Sequence, residues 1–469
     1  MRMVRVHGRL KVTPGIRIQS PMEQTGPEHS SVSNSHSSAL PIMIVAGEAS
    51  GERHGAALAR ALRQVDPNIT YDLFGAGGEE MRSAGIETLV DARDVAIIGV
   101  PEITQALGKL YRAYRTLLNA ARSRGPAVVV LIDWPDFNMR LAKRLHREGF
   151  KVVYYISPQV WAWRKYRVQA LRRDVDRMLV ILPFEERFYE KEGLEVSYVG
   201  HPLAESVRIS SSREEFCTRH RLDSLRPLIS LLPGSRHKEI HYHLPPMLDA
   251  AVRLRSLRLT VELPSPKDDR LSRSLASRMD NHSSSLQSTV PQTALAPQFI
   301  VPLASTVRRE DVRGTIEEAC HRSAGGDGGA ELPFSISIIE GDTYNALGHS
   351  QFAVVASGTA TLEAALLGTP MVVVYRGSEI NWRLIRPLIH LDTFGMVNLI
   401  AGQRIVPELL QHEVTGEGIA RELTGIVTDP TRLSRMQRDL ARVREKLATS
   451  EGSASERAAR EVLSVIGVE

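Results

Sequence analysis

Two carboxylates follow directly on a short apolar run, where they could act as bases. The run is Val128–Ile132, and the carboxylates are Asp133 and Asp136. A carboxylate at the end of a buried strand faces the cleft beside a sheet, and partial burial raises its pKa toward that of a useful base. We assign to Asp133 the removal of a proton from a hydroxyl group. A cap or a structural ion pair explains Asp133 equally well, and capping is the role we expect for Asp136.

A loop that could bind phosphate follows a later apolar run, Leu228–Leu232. It contains Gly234, Ser235 and Arg236. Backbone amides, a hydroxyl and a guanidinium meet there, and a guanidinium offers paired donors to phosphate oxygens. This loop predicts diphosphate binding. The alternative is a surface turn with an exposed arginine.

Small residues lead from another apolar run into a helical pattern at 356–365. Ser357, Gly358 and Thr359 let backbone amides touch phosphate at a helix start. Glu363, about one turn further, can accept hydrogen bonds from ribose hydroxyls. A tightly packed strand–helix corner would also need small residues. Two such sites in one half of the chain favour a nucleotide, and the lack of a P-loop lysine disfavours ATP hydrolysis.

A glycine-rich turn follows the apolar run at 42–45. It contains Glu48, Ser50 and Gly51, and a helical pattern starts there. Ser50 is a candidate cap, and free amides at a helix start can bind an anion or a sugar hydroxyl. Taken alone, a plain strand-to-helix turn explains the motif better, because the spacing is not a dinucleotide fingerprint.

Aromatic residues are concentrated between positions 154 and 163. Two of the four tryptophans, Trp161 and Trp163, lie here beside Tyr154 and Tyr155. Stacking on sugar rings is the functional interpretation, and packing in the core is the alternative.

The motifs lie at the ends of apolar runs that alternate with helical patterns. This alternation predicts an α/β fold with two Rossmann-like domains in tandem and a cleft between them, where ligands bind at the carboxyl ends of the strands. We predict a disordered tail at 1–40, a first domain at 41–205, a second domain at 206–400 and mainly helical residues at 401–469. An inserted loop is predicted at 258–297, because that stretch is polar and lacks periodicity.

Composition narrows the function only slightly. The chain has 469 residues, a formal net charge of +5 and two cysteines. The charge would suit a phosphate-rich substrate or an anionic membrane surface. The two cysteines show no metal-site spacing and give no disulfide framework, so a reducing compartment is the default expectation. No apolar run is long enough to span a bilayer, and the scattered basic residues argue against nucleic-acid binding.

Taken together and in order, the motifs resemble those of the lipid-A-disaccharide synthase family. They are AGEASG, IDWPDFN, SPQVWAWR, LPFE, VGHPL, LPGSR and SGTATLEAALLGTPMVVVYR, followed by NLIAG and VPELLQ. The resemblance covers about 42–411 apart from 258–297. It implies a GT-B architecture, in which the last helices pack back toward the N-terminal domain.

The resemblance also implies a reaction. A diacylglucosamine unit passes from UDP-2,3-diacylglucosamine to 2,3-diacylglucosamine 1-phosphate (lipid X), giving a β-1,6 disaccharide 1-phosphate and UDP. The family inverts the sugar configuration, uses no metal or other cofactor, and works at the cytoplasmic face of the bacterial inner membrane. A homodimer is left open. A docking patch is expected at Val95–Pro101 with Lys109, Arg112 and Arg115, although a helix facing the core explains it equally well.

Matching the motifs residue by residue gives the predicted site. The catalytic residues are Asp133, Arg236 and Glu48. The substrate-binding residues are Ser50, Gly51, Trp161, Trp163, Gly234, Ser235, Ser357, Gly358, Thr359, Glu363 and Asn398. Trp134, Glu52 and Val397 depart from the family pattern. The alternatives are another GT-B enzyme that uses a UDP-sugar, either a glycosyltransferase or an epimerase, and an inactive homologue that binds lipid or nucleotide.

Overall fold

Seven parallel strands form the first sheet, in the order β3-β2-β1-β4-β5-β6-β7. The computed structural model describes residues 39–95, 103–163, 165–259, 295–304, 306–323, 336–379, 382–383, 386, 393–448 and 452–468. The strands are β1 Leu40–Ala46, β2 Tyr71–Gly77, β3 Glu87–Asp91, β4 Val128–Ile132, β5 Val152–Tyr155, β6 Arg177–Val180 and β7 Ser197–Tyr198.

A second parallel sheet has the order β10-β9-β8-β11-β12-β13. Its strands are β8 Leu228–Leu232, β9 Gln298–Pro302, β10 Ile336–Ile339, β11 Phe352–Ala356, β12 Met371–Tyr375 and β13 Glu408–Leu410. Both sheets are wound outward in two directions from a central strand. The prediction of an α/β fold with two Rossmann-like halves is therefore confirmed.

Helices connect the strands. They are α1 Ala49–Val65, α2 Glu79–Ser83, α3 Ala92–Val95, α4 Ile103–Arg124, α5 Pro135–Arg147, α6 Val160–Trp163, α7 Val168–Asp174, α8 Pro183–Lys191, α9 Leu203–Ser206, α10 Arg213–His220, α11 His237–Leu254, α12 Arg309–Ser323, α13 Thr343–Gly348, α14 Ala360–Leu367, α15 Met396–Ala401, α16 Gly416–Val427, α17 Pro430–Leu447 and α18 Ala454–Val465. None of the described helices is both long and apolar enough to cross a membrane.

Burial explains the composition of the strands. Every residue of β4, β8, β9 and β11 is buried, as expected for parallel strands covered by helices on both faces. In the first sheet, one face packs on α4 and α5. The other face belongs to an apolar cluster that continues into the second sheet.

The last helix packs against the first half of the chain. α18 contacts α1, β4 and β6, and it buries Ala458, Ala459 and Val462 there. Arg457 donates to the carbonyl of Tyr198 at 2.7 Å, and the Tyr198 hydroxyl donates to the carbonyl of Lys446 at 3.0 Å. α18 thus covers part of the apolar core of the first sheet.

Several predictions about organisation lie outside the described residues. These are the tail up to residue 38, residues 96–101 of the expected docking patch, and 260–294 of the expected insert. The exact domain boundaries stay predictions, although β1 already begins at Leu40, within the stretch predicted to be a tail.

Candidate functional site

The four sequence motifs lie at two points, one in each parallel sheet, where the order in which the chain adds strands reverses from one side to the other. We call these the reversal points. β1 and β4 are neighbours, so Glu48 and Asp133 follow adjacent strands. In the second sheet β8 and β11 are neighbours, which places the loops of Arg236 and Ser357 side by side. Crevices at such reversal points are where doubly wound sheets bind ligands.

Asp133 has an unusual backbone conformation. Asp133 and Trp134 both have φ of 48°, in the left-handed region that residues with a Cβ rarely enter. The Asp133 carbonyl accepts hydrogen bonds from the Tyr154 hydroxyl at 2.7 Å and from Asn138 Nδ2 at 2.8 Å. The turn that carries the predicted base is therefore held in a definite shape.

The electrostatic surroundings of Asp133 suit a base. Burial and, to a smaller extent, the charge of Glu48 together raise the pKa of its carboxyl to about 6, while a hydrogen bond from the Trp134 amide opposes the shift. A base with this pKa is mostly ionised at neutral pH and still holds a proton better than an ordinary aspartate.

The family departure at Trp134 is accommodated by a glycine. A Cβ at residue 47 would lie 2.1 Å from Cδ2 of Trp134, so only glycine leaves room for the indole. Trp134 also stacks on Phe137, with ring centroids 3.9 Å apart. Two motifs distant in sequence therefore pack against each other at the residue that follows the predicted base.

The loop of Arg236 is organised by Glu239. One carboxylate oxygen of Glu239 accepts the amides of Ser235 at 2.8 Å and Arg236 at 3.3 Å. Gly234 has φ of +123°, and a Cβ there would strike the same carboxylate. These amides are therefore taken by the protein itself. The Arg236 guanidinium is 80% exposed and reaches Glu239 only at 3.5 Å, which leaves it available to a ligand.

A buried histidine links this loop to the end of β12. His243 Nδ1 lies 2.8 Å from the Pro233 carbonyl, and His243 Nε2 accepts the Arg376 amide at 2.8 Å. Burial lowers the pKa of the imidazole. The ring is thus neutral, with its proton on Nδ1, since only that tautomer satisfies both bonds.

Glu363 lies where the two halves of the chain meet. Its carboxylate hydrogen-bonds the hydroxyl of Tyr344, which also bonds Ser206. Burial raises the pKa of Glu363, and the charge of Arg53 on α1 opposes that shift. Arg53 lies two residues after the motif of Glu48, so the first half of the chain brings a positive charge near the fourth motif.

Gly358 and Thr359 leave space at the start of α14. Gly358 has φ of +154°, and nothing lies within 4 Å of a Cβ built there. Thr359 is exposed at the N-cap position. The Ser357 hydroxyl, by contrast, donates to the Phe394 carbonyl at 2.9 Å. Ser357 therefore shapes the neighbouring loop with its side chain.

Two predicted helix caps are wrong. α1 begins at Ala49 with Glu48 at its N-cap, so Ser50 lies inside the first turn. α5 has Trp134 at its N-cap, and Asp136 lies in the first turn, paired with Arg167 at 2.6 Å. Both polar residues still face the positive end of a helix.

Three predicted substrate-binding residues are buried inside the protein, where they pack against or bond to other residues of the chain. Gly51 is buried, and a Cβ there would lie 3.3 Å from that of Ala46. Trp161 is 7% exposed and donates its indole N–H to Glu185 at 3.1 Å. Asn398 is fully buried and bonded to Glu408 and to backbone groups of 405–406. We leave all three out of the proposed site.

The remaining departures from the family pattern, Val397 and Glu52, fit their surroundings. Val397 is fully buried in the apolar core, and Glu52 lies against Gly78. The side chain of Trp163 lies outside the described residues. Among the residues that the structure describes, no group of three or more His, Cys, Asp or Glu could hold a metal ion. A reaction without a metal stays a prediction.

Some site residues were missed by sequence reasoning. Arg53, Tyr344 and His243 act through contacts between distant segments, for which the sequence carries no local signal. Asn138 falls within the quoted motif IDWPDFN, and its amide, five residues after the predicted base, was a usable hint. Tyr154 lies in the aromatic stretch at 154–163, where nothing in the sequence links it to Asp133.

Solved structures show the same class of fold. The chain matches the S. aureus MnaA–UDP structure with a TM-score of 0.53 and 12% identity, over 92% of this chain and 97% of that one. It matches the calicheamicin glycosyltransferase CalG4 with a TM-score of 0.51 and 12% identity, over 92% and 99%. Two doubly wound sheets with loops converging at their reversal points define the GT-B class of glycosyltransferases and epimerases.

Sequence comparison identifies the family within that class. The model of the lipid-A-disaccharide synthetase family matches residues 42–295 and 329–462. The chain is 40% identical over 429 residues to the lipid-A-disaccharide synthase of Koribacter versatilis, covering 91% of this chain and 98% of the relative. It is 40% identical over 426 residues to that of Geobacter metallireducens, covering 91% and 97%. The chain belongs to the lipid-A-disaccharide synthetase family.

The family match changes two expectations. It continues past residue 411, where the motif resemblance ended, as far as 462. It also runs through most of 258–297, the stretch predicted to be an insert foreign to the family, and is interrupted at 296–328 instead.

Proposed function

We propose that this glycosyltransferase moves a 2,3-diacylglucosamine unit from UDP-2,3-diacylglucosamine to lipid X. The products are the β-1,6 disaccharide 1-phosphate and UDP. The observation that carries the proposal is the Asp133 carboxyl, half-buried at the reversal point of the first sheet with a pKa raised to about 6. Family membership supports the identity of both substrates.

The proposed step balances as an inverting displacement. The Asp133 carboxylate takes the proton of the acceptor hydroxyl as that oxygen attacks the anomeric carbon. The bond from that carbon to the diphosphate oxygen breaks on the opposite face, and the electron pair leaves with UDP. Arg236, whose side chain is 80% exposed, neutralises the diphosphate, and the open start of α14 around Gly358 and Thr359 receives the nucleotide.

Glu363 is the proposed ribose contact. Its carboxylate is already hydrogen-bonded to Tyr344 and faces Arg53. A ribose hydroxyl would therefore join an existing network, which fixes the direction from which the nucleotide enters. Glu48 is proposed to act on Asp133 by its charge.

Purified enzyme tests the reaction directly. We expect UDP-2,3-diacylglucosamine and lipid X together to give UDP and a disaccharide 1-phosphate by mass spectrometry, and neither substrate alone to react. Turnover of UDP-N-acetylglucosamine without an acceptor would instead make the protein an epimerase. Binding of UDP with no turnover of any of these substrates would favour an inactive homologue.

The pH dependence of the rate tests the pair of carboxylates. Because the base must be ionised, kcat/KM should fall as the pH drops below about 6. Glu48→Gln removes a negative charge that raises the pKa of Asp133, so the acid limb should move down by about 0.5 to 1 pH unit. Glu52→Gln, in the first turn of the helix that Glu48 precedes, is the control and should leave the limb in place. If the acid limb stays in place in Glu48→Gln, the charge of Glu48 does not act on the base.

We also propose that α4 contacts an anionic membrane surface. Its Ala113, Leu117 and Ala121 are buried, whereas Lys109, Arg112 and Arg115 are exposed beside Tyr111, which is 61% exposed. Three cations and an aromatic ring on one helix suit lipid headgroups. The acylated substrates also require access to a membrane.

Vesicle flotation tests this contact. Arg112→Glu with Arg115→Glu should reduce flotation on anionic vesicles about tenfold or more, since each basic residue contributes roughly 1 kcal/mol. Arg421→Glu, an exposed residue of α16, should float like the unmodified protein. Equal flotation of both variants would reject α4 as the docking surface.

A further inference from the structure

The turn that carries Asp133 needs external support. Two consecutive residues with side chains, Asp133 and Trp134, have φ of 48°. Such residues favour other conformations, and left-handed ones persist only where their surroundings determine them. Contacts with neighbouring elements must therefore hold the turn in its left-handed conformation.

Two buried donors meet at one carbonyl oxygen in this turn. The Asp133 carbonyl accepts the Tyr154 hydroxyl at 2.7 Å and Asn138 Nδ2 at 2.8 Å. Both donor residues are fully buried. Asn138 Nδ2 also lies 3.2 Å from the Ile132 carbonyl, one residue earlier. The peptide group after Asp133 is thus fixed from the neighbouring strand β5 and from the helix α5.

We propose that Tyr154 and Asn138 are positioning residues that hold the Asp133 turn in its left-handed form and so aim its carboxylate at the acceptor hydroxyl. Neither residue touches the reacting atoms. This inference rests on the proposed role of Asp133 as the base.

The chemistry of the donors suits this task. A carbonyl oxygen can only accept, so both partners must donate. Burial raises the pKa of the Tyr154 hydroxyl well above its ordinary value, which keeps its proton in place throughout the working pH range. A tyrosine on β5 and an asparagine on α5 approach from different elements, so a rotation of the peptide would break two bonds at once.

The chain offers a matched control in the next residue. Tyr155 is also fully buried on β5 but points to the opposite face of the sheet, into the other apolar cluster. Tyr154→Phe and Tyr155→Phe remove the same atom from the same strand. Only the first removes a bond to Asp133.

Steady-state kinetics with both lipid substrates test the proposal. We expect Tyr154→Phe to lower kcat about 10- to 100-fold with little change in either KM, as for a small misplacement of a catalytic group. Tyr155→Phe should stay within about twofold in kcat. Asn138→Ala should repeat the Tyr154→Phe pattern and serves as the second variant should the first fail to fold. Thermal unfolding of all three variants measures stability separately.

The outcomes separate this inference from the proposed function. Normal kcat in a folded Tyr154→Phe or Asn138→Ala overturns the positioning role, and so does an equal loss in Tyr154→Phe and Tyr155→Phe. Asp133→Asn is measured on the same substrates. If it is inactive while Tyr154→Phe is normal, only the positioning role fails. If it turns over normally, the base assignment itself fails.

Discussion

Asp133→Asn should lower kcat about 10²- to 10⁴-fold while the protein still folds and binds its UDP-sugar. A general base typically accelerates a reaction by a factor of this size, and an amide of the same shape cannot take up the acceptor proton. The measurement is the initial rate of disaccharide formation at saturating concentrations of both substrates. UDP-sugar binding by calorimetry should stay within about threefold, because the lost group acts on the acceptor.

The same variant makes an independent prediction about stability. The folded-state pKa of Asp133, about 6, lies above the ordinary value of 3.8, so the native state binds this proton more tightly than the unfolded state. The contribution of Asp133 to stability is therefore greatest at low pH and declines as the pH rises from about 4 to about 6. Asp133→Asn escapes this decline.

Thermal unfolding at two pH values checks that prediction. At pH 7 the Asp133→Asn variant should melt at a higher temperature than the unmodified protein, and the difference should shrink toward pH 4. A variant that is less stable at pH 7 would show that the charge is not penalised by burial, and the explanation for the raised pKa would have to be abandoned.

Arg236→Ala should lower kcat about 10²- to 10³-fold, the usual cost of removing one donor that stabilises developing charge. The guanidinium is 80% exposed and 3.5 Å from Glu239, so it can turn to a departing diphosphate. The neighbouring amides of Ser235 and Arg236 are held by Glu239, which leaves the side chain as the main source of positive charge in this loop.

Two further variants sharpen the test. Arg236→Lys keeps the charge but loses the paired donors, and it should recover part of the rate. Arg253→Ala removes an arginine near the far end of α11, the helix that begins just after Arg236. Arg253 is paired there with Asp249, so its loss should leave kcat unchanged. A rate in Arg236→Ala within about twofold of the unmodified enzyme would remove Arg236 from the mechanism.

The strands that the sequence revealed most clearly are those buried on both faces. Val128–Ile132 and Leu228–Leu232 were predicted with the bounds that the structure has, because the first is made only of valine, leucine and isoleucine and the second departs from that only at Ser230. Tyr71–Gly77 contains an aspartate and two glycines, and Glu87–Asp91 is only partly buried. Neither has a strong apolar signal, so both strands were missed.

The site was harder to predict than the fold, because a motif gives residue types without their surroundings. Trp161 and Asn398 belong to the quoted motifs, yet both are buried and bonded inside the protein. Burial is decided by helices and loops far along the chain. The charge interaction of Arg53 with Glu363 depends on how the two halves of the chain pack together. The neutral state of His243 depends on a carbonyl and an amide 143 positions apart, at 233 and 376.

The return of α18 to the first sheet has a consequence for biosynthesis. Ala458, Ala459 and Val462 cover apolar side chains that belong to α1 and to strands β4 and β6 of the first sheet. A ribosome releases α18 only after all the strands of both sheets, so the first-made half of the protein must wait with this face uncovered. Nascent chains should therefore depend on chaperones for longer than two independently folding halves would, and a premature stop shortly after Leu447 would leave a product prone to aggregate.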